Sequence, residues 1–269
     1  MEHVVIGLND ELPGQTVIDW IIDRAKSHPV QIRLVAELDT HASNPDAVKD
    51  LLAGAAHRIS DAVPGTQVEM VVAELPLLHE LVEESESADL IVVGAHPDPS
   101  IREPRKPSLP VRLAARSHCP VVIVPDDWKA GSGPVVVGIA AATAAHEEAA
   151  FAAHEAEDSA TELEIVHTWE PWNAPMARQE KFEHEVILNE IVESIRTEFP
   201  AVRVHGVLRE AAAHLGILAS SRGAHLIVLG THGLGRGTGV ILGVIHQEVM
   251  IRGGVALCVV PLGPPPDAE

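Results

Sequence analysis

Apolar positions along the chain form two alternating kinds of pattern. Short, nearly continuous apolar runs predict strands covered on both faces, and stretches with an apolar residue every third or fourth position predict amphipathic helices. The first run, His3-Val4-Val5-Ile6-Gly7-Leu8, predicts a strand. A helix is expected over 16–27, where Val17, Trp20, Ile21 and Ala25 share one face and Thr16 can cap the first turn. Then come a strand over 32–38 and a helix over 45–63 with the stripe Val48, Leu51, Leu52, Ala55 and Ile59. A strand over 68–73, a short acidic helix over 77–87 and a strand over 90–93 closed by Gly94 follow. A helix over 108–117 and a strand over 121–124, ending at Pro125, complete the series.

The same order then repeats. Strands are expected over 135–139, 163–167, 202–208, 226–229 (closed by Gly230) and 256–260 (ending at Pro261). Helices are expected over 144–157, 181–199, 211–221 and 239–252. Gly7 to Gly138 is an offset of 131 residues, whereas Gly94 to Gly230 and Pro125 to Pro261 are both offsets of 136. Apolar strands alternating with amphipathic helices imply a parallel sheet with helices on both faces, because each crossover lays a helix over the sheet. The reading is an α/β chain of two tandem, doubly wound, five-stranded parallel-sheet domains, residues 1–129 and 134–263. They are joined by a polar, glycine-containing linker over 126–134 and followed by a proline-rich tail.

Composition narrows the partners. The 269 residues carry 19 Lys and Arg against 39 Asp and Glu, a net charge of −20 shared evenly by the halves. Neither nucleic acid nor an anionic membrane surface is expected as a partner, since both demand positive charge. The two cysteines, Cys119 and Cys258, sit in apolar runs, which fits a reducing compartment and no disulfide scaffold. No apolar stretch reaches the roughly 18 residues of a membrane span, and the start of the sequence has no basic leader. A cytoplasmic location is expected.

Ligands of open parallel sheets bind beyond the carboxyl ends of the strands, where strand order reverses. In the second half, the fourth strand runs into Gly230-Thr231-His232-Gly233-Leu234-Gly235-Arg236-Gly237-Thr238-Gly239, and a helix is expected next. Five glycines in ten residues let backbone amides approach a ligand, and a helix N-terminus suits an anion. Gly230-x2-Gly233-x9-Gly243 resembles the G-x2-G-x9-G-(S/T) nucleotide signature of the universal stress protein family. Leu226-Ile227-Val228-Leu229-Gly230, Glu164-Ile165-Val166-His167-Thr168-Trp169-Glu170 and the closing Val259-Val260-Pro261 are similar to that family as well. The resemblance spans nearly the whole chain. It implies a Rossmann-like, adenine nucleotide alpha hydrolase-like fold duplicated in one polypeptide, a non-catalytic role in stress response, and ATP as ligand in many members. It further implies that the halves pack as an intramolecular pseudo-dimer through the edge strands 121–124 and 256–260; a homodimer of the tandem chain and an unidentified protein partner stay open.

The nucleotide-binding residues carried over are Gly230, Gly233, Gly243 and Val244, with Ile139 and Thr168 bounding the cleft and His246 placed to donate to phosphate. Two departures weaken the site. The final Ser/Thr of the signature is Val244, and the Asp that ATP-binding members carry after strand 1 is Ala140 here. Each missing hydrogen bond to a charged group costs about 1.5–3 kcal/mol, so the pair lowers affinity roughly 10²- to 10⁴-fold. Weak binding of ATP or of a smaller phosphate ligand is expected in the second half. The first half has Asn9 at the Asp position and Gly94-Ala95-His96-Pro97-Asp98-Pro99 in place of the glycine loop. Prolines lack the N–H donors that a phosphate cradle uses, so no binding is expected there.

Other chemistry is sparse. The 16 histidines are scattered without metal-ligand spacing. Cys119 leads into a buried strand and reads as inert. Arg102, Arg105 and Lys106 form a basic cluster beside the first half's degenerate loop, Trp169 and Trp172 end the second half's second strand, and Glu83, Glu84 and Glu86 read as a solvated helical face. Ser220-Ser221 lacks the glycine-flanked elbow of a nucleophile, and no Walker lysine motif follows either first strand. Three readings are ordered accordingly: a weak nucleotide or phosphate binder, an interaction scaffold that has lost ligand binding, and, last, a hydrolase of the wider fold class.

Overall fold

The structure, a computed structural model, describes residues 1–8, 14–37, 45–95, 108–139, 145–171, 176–231 and 254–261. The chain divides into two compact units, Met1–Ala130 and Gly131–Glu269. The first contains β1 (Glu2–Leu8), α1 (Gly14–Ser27), β2 (Val30–Glu37), α2 (Pro45–Ala62), β3 (Gln67–Ala73), α3 (Leu77–Glu84), β4 (Leu90–Gly94), α4 (Leu109–Ala114) and β5 (Val121–Val124). The second contains β6 (Val135–Ile139), α5 (Ala145–Asp158), β7 (Leu163–Trp169), α6 (Ala177–Glu198), β8 (Val204–Glu210), α7 (Ala213–Ser220), β9 (Leu226–Gly230) and β10 (Ala256–Val260). The helix expected over 239–252 lies outside the described residues.

Strand order is β3-β2-β1-β4-β5 in the first unit and β8-β7-β6-β9-β10 in the second, with parallel pairing throughout each. The doubly wound fold is therefore present twice. Position in the sheet explains the sequence pattern. Central β1 buries Val4, Val5, Ile6 and Leu8 almost completely, and β6 buries Val135, Val136 and Val137, because helices cover both of their faces. Outermost β3 instead leaves Met70 and Val72 exposed.

The helices bury the faces that their spacing announces. In α1, Val17, Ile18, Trp20, Ile21 and Ala25 turn inward, and Arg24 forms a two-pronged ion pair with Glu2 at 2.8 and 2.9 Å. In α2, Val48, Leu52, Ala55 and Ile59 are buried, whereas Leu51 is half-buried at the flank. Several boundaries shift by two residues or more, among them the starts of α1, β2 and α7 and the ends of α3, α4 and β7, and two bear on the second unit's packing. Helix α6 begins at Ala177 and not near 181. Strand β8 begins at Val204 and not at 202, because the Val202 amide closes a turn onto the Phe199 carbonyl at 3.1 Å.

The repeat is visible in side-chain packing as well as in topology. A Cβ on Gly7 would stand 2.7 Å from Leu81 of α3, and a Cβ on Gly138 would stand 2.7 Å from Ile217 of α7. In both units the strand glycine leaves room for an aliphatic side chain of the helix above it. A second tight contact seats the start of the second unit. The His225 amide donates to the Pro134 carbonyl and the His225 ring nitrogen Nδ1 donates to the Gly131 carbonyl, each at 2.9 Å. Between them, a Cβ on Gly133 would lie 2.0 Å from the Gly223 carbonyl oxygen. Since backbone blocks that space, Gly133→Ala should destabilise the second unit by about 1–3 kcal/mol, the usual cost of overpacking. Urea unfolding followed by circular dichroism reads the shift in midpoint.

Candidate functional site

The point where strand order reverses lies between β1 and β4 in the first unit and between β6 and β9 in the second. Three strands meet there in the second unit, ending at Ile139, Trp169 and Gly230. Strand β9 stays paired to its end: Val260 is in register with Gly230, and the Thr231 amide donates to the Val260 carbonyl at 3.0 Å. The first unit repeats this ending, with the Ala95 amide on the Val124 carbonyl at 2.9 Å. The backbone thus delivers Gly230 to the mouth of the sheet. Gly233, Gly243, Val244 and His246 lie outside the described residues, as do Asn9, Ala140, Trp172 and the cluster of Arg102, Arg105 and Lys106.

Ile139 is buried, and its carbonyl oxygen is engaged: His167 Nδ1 lies 3.1 Å away. Thr168 turns to the opposite face of β7. A Cβ on Gly216 of α7 would meet the Thr168 methyl at 2.4 Å, so the threonine packs under that helix. In the first unit the register β1–β2 places Glu37 where Thr168 stands. The Glu37 carboxylate accepts the Leu77 amide at 2.9 Å and so supplies its own negative charge to the first turn of α3.

Two buried groups stand out that the sequence reading passed over. His167, only 2% exposed, points inward from β7 with Leu163, Ile165 and Trp169. Its Nε2 meets His184 Nδ1 of α6 at 2.8 Å. A carbonyl can only accept, so His167 carries its proton on Nδ1. Its bare Nε2 then accepts, and His184 donates from Nδ1. Burial lowers the His167 pKa below its ordinary value; the hydrogen bond to Ile139 opposes this, and the charge of His184 adds to it. Glu148, also 2% exposed, lies in the first turn of α5 on the stripe of Ala145, Ala149 and Ala152. Its Oε2 has no hydrogen-bond partner. Burial, with a smaller contribution from Glu147, pushes its pKa up to about 8. The signals were present: a histidine at an inward strand position, and an acid inside an alanine stripe.

The remaining candidates settle into structural contacts. Cys119 is buried with its thiol pushed up to about 11, chiefly by burial, and its neighbour is the Ser117 hydroxyl. His118 turns away to Ser85. Ser220 accepts two hydrogen bonds from Arg209, at 2.8 and 3.1 Å, and Ser221 donates to the Leu218 carbonyl. Trp169 packs against His184. Glu83 and Glu86 are solvated as expected, but Glu84 is half-buried and bound by Arg33 at 2.7 Å, because Arg33 on β2 reaches across to α3. A cavity of about 580 Å³ in the second unit is lined by Pro134, Thr161, Glu162 and Arg203 at the amino ends of the strands, the wrong end for a switch-point ligand. Among the described residues no three metal-ligating side chains converge, and no helix is long and apolar enough to cross a membrane.

The Glu148 shift has a defined sign. Between pH 4.5 and 8 the unfolded chain releases this proton while the folded chain keeps it, so stability falls as pH rises through that window. Glu148→Gln should therefore stabilise the second unit at pH 8 by about 1–3 kcal/mol and much less at pH 5. Thermal unfolding of both proteins across that range measures the difference.

Comparison with known proteins agrees with this architecture. The model of the universal stress protein family matches twice, over residues 1–125 and 132–261. A universal stress protein of Mycobacterium tuberculosis strain H37Rv is 23% identical over 282 residues, covering 91% of this chain and 92% of its own. One from Mycobacterium bovis is 25% identical over 276 residues, covering 92% of each chain. The crystal structure of a universal stress protein from Archaeoglobus fulgidus superposes with a TM-score of 0.72 at 19% identity, covering 97% of both chains. With a family model matched in each unit and the same fold built twice, the chain belongs to the universal stress protein family as a tandem member.

Proposed function

We propose that the second unit binds an adenine nucleotide such as ATP, or a smaller phosphate ligand, weakly and without turnover, and that the first unit does not. The observation that carries this reading is the junction at Gly230. There the strand at the topological switch ends in register with β10 and hands over to a sequence with five glycines in ten residues. Amides freed by glycine ahead of a helix favour phosphate oxygens. Gly230, Gly233, Gly243 and Val244 would serve through backbone, and His246 through its ring. Ile139 and Thr168 would bound the base side, Ile139 with its carbonyl already committed to His167 and Thr168 with its methyl under α7. In the first unit, Glu37 charges the mouth of the sheet negatively and prolines replace the glycines, which supports an asymmetric pair.

One observation favours a second reading, an interaction scaffold without ligand. The Ile139 carbonyl, a polar group at the mouth of the sheet, is satisfied internally, and Val244 and Ala140 remove side-chain contacts.

Titration calorimetry with ATP and ADP up to millimolar concentration separates the two. Binding is expected near the millimolar range, and Val244→Ser, which restores a hydroxyl, should tighten it roughly tenfold. Absence of heat, and of chemical-shift change in both proteins, leaves the scaffold reading.

A further inference from the structure

We propose that the His167–His184 hydrogen bond is a proton-operated latch that holds the amino-terminal half of α6 against the end of β7 and releases it on acidification. This stands apart from any ligand at the mouth of the sheet. Helix α6 has 22 residues, and its buried side chains, Leu188, Ile191, Val192 and Ile195, all lie in the second half. None of residues 177–187 is buried, and Phe182 and Val186 of that stretch are 65% and 38% exposed. The ring contacts of this stretch belong to His184. Its ring lies 4.9 Å from that of His167 and 5.6 Å from that of Trp169. The first half of the helix thus projects past its own apolar anchor, and its ring contacts with β7 are made by one imidazole.

Hydrogen-bond accounting shows why protons operate the tie. With one proton on each ring, His184 donates to His167 Nε2 and His167 donates to the Ile139 carbonyl. A proton added at the outer Nε2 of His184 leaves both bonds in place. A further proton can enter only at His167 Nε2, the acceptor. Two donors then face each other 2.8 Å apart, with like charge on both rings. The ring cannot escape by turning over without abandoning Ile139. The surrounding charges do not relieve this. On α6 these are Glu180, Lys181 and Glu185, the last two paired with each other at 3.4 Å. At the end of β8 stands Glu210, and on α5 stands Glu148, held in its neutral form by burial. Register sets uncharged Leu208 beside His167, and among charges it is His184 that acts on the His167 ring. Release therefore falls below the ordinary imidazole range, since burial resists the second proton.

Amide hydrogen exchange on the full chain between pH 4.5 and 7.5, corrected for intrinsic rates, tests the latch. Protection of residues 177–187 should fall tenfold or more on acidification, while residues 188–198 change little. Replacing the imidazole with a ring that has no ring nitrogens, His184→Phe, should abolish the step and leave the stretch equally protected at all pH values. In parallel, nitrogen-15 spectra of the imidazoles should show both rings protonated at Nδ1 at neutral pH. The proposal is overturned if both halves of α6 lose protection together, if His184→Phe keeps the step, or if the spectra place the His167 proton on Nε2.

Discussion

Everything in each unit is arranged around a central strand that has no free face. β1 lies between β2 and β4, β6 between β7 and β9, and helices cover both sides of each. A strand in that position cannot carry polar side chains without partners, because burying an unpaired polar group costs about 1–3 kcal/mol by mutational measure. It also leaves little room for bulk, so Gly7 and Gly138 stand where Leu81 and Ile217 descend from the covering helices. The same constraint creates the switch-point end of each unit. Since the chain winds away in both directions from the central strand, the helices part at its carboxyl end and backbone groups are left facing an opening.

The two units differ at that opening. In the first, the anionic Glu37 occupies the helix amide that borders it. In the second, the matching position is Thr168, and the chain continues into glycines. The same fold is thus built twice with different chemistry after its fourth strand: a carboxylate on the neighbouring strand and a proline-rich sequence in one unit, a threonine and a glycine-rich sequence in the other. The overall acidity of the chain sets the background, since a negative surface disfavours anion capture except where backbone dipoles concentrate positive potential.

The second unit also stores two ionisable groups against their preference. Burial keeps Glu148 protonated and His167 neutral, so the first makes alkaline conditions costly and the second makes acidic ones costly. The two contributions run in opposite directions: that of Glu148 is lost as pH rises from 4.5 to 8, and that of His167 is lost as pH falls below the ordinary imidazole range. In the first unit Ala36 stands at the position of His167.

Strand and helix identity, the tandem repeat and the family were legible in the sequence because they rest on periodicity. Alternation of short apolar runs with helical stripes leaves few folds, and the loop signature Gly230-x2-Gly233-x9-Gly243 is local in the chain. The candidate site was legible only as far as backbone chemistry is encoded by residue type, through glycine and proline. What the sequence could not contain was the pairing of distant side chains. His167 and His184 are seventeen positions apart on different elements, and whether they meet depends on how α6 lies on β7. Arg33 finds Glu84 across fifty-one positions, and the orphaned oxygen of Glu148 is a property of its surroundings, not of its neighbours in the chain. Periodicity is a one-dimensional signal and fixes which face is buried. Hydrogen bonding and desolvation depend on three-dimensional proximity, so tertiary structure alone decided which buried polar groups found partners and which did not.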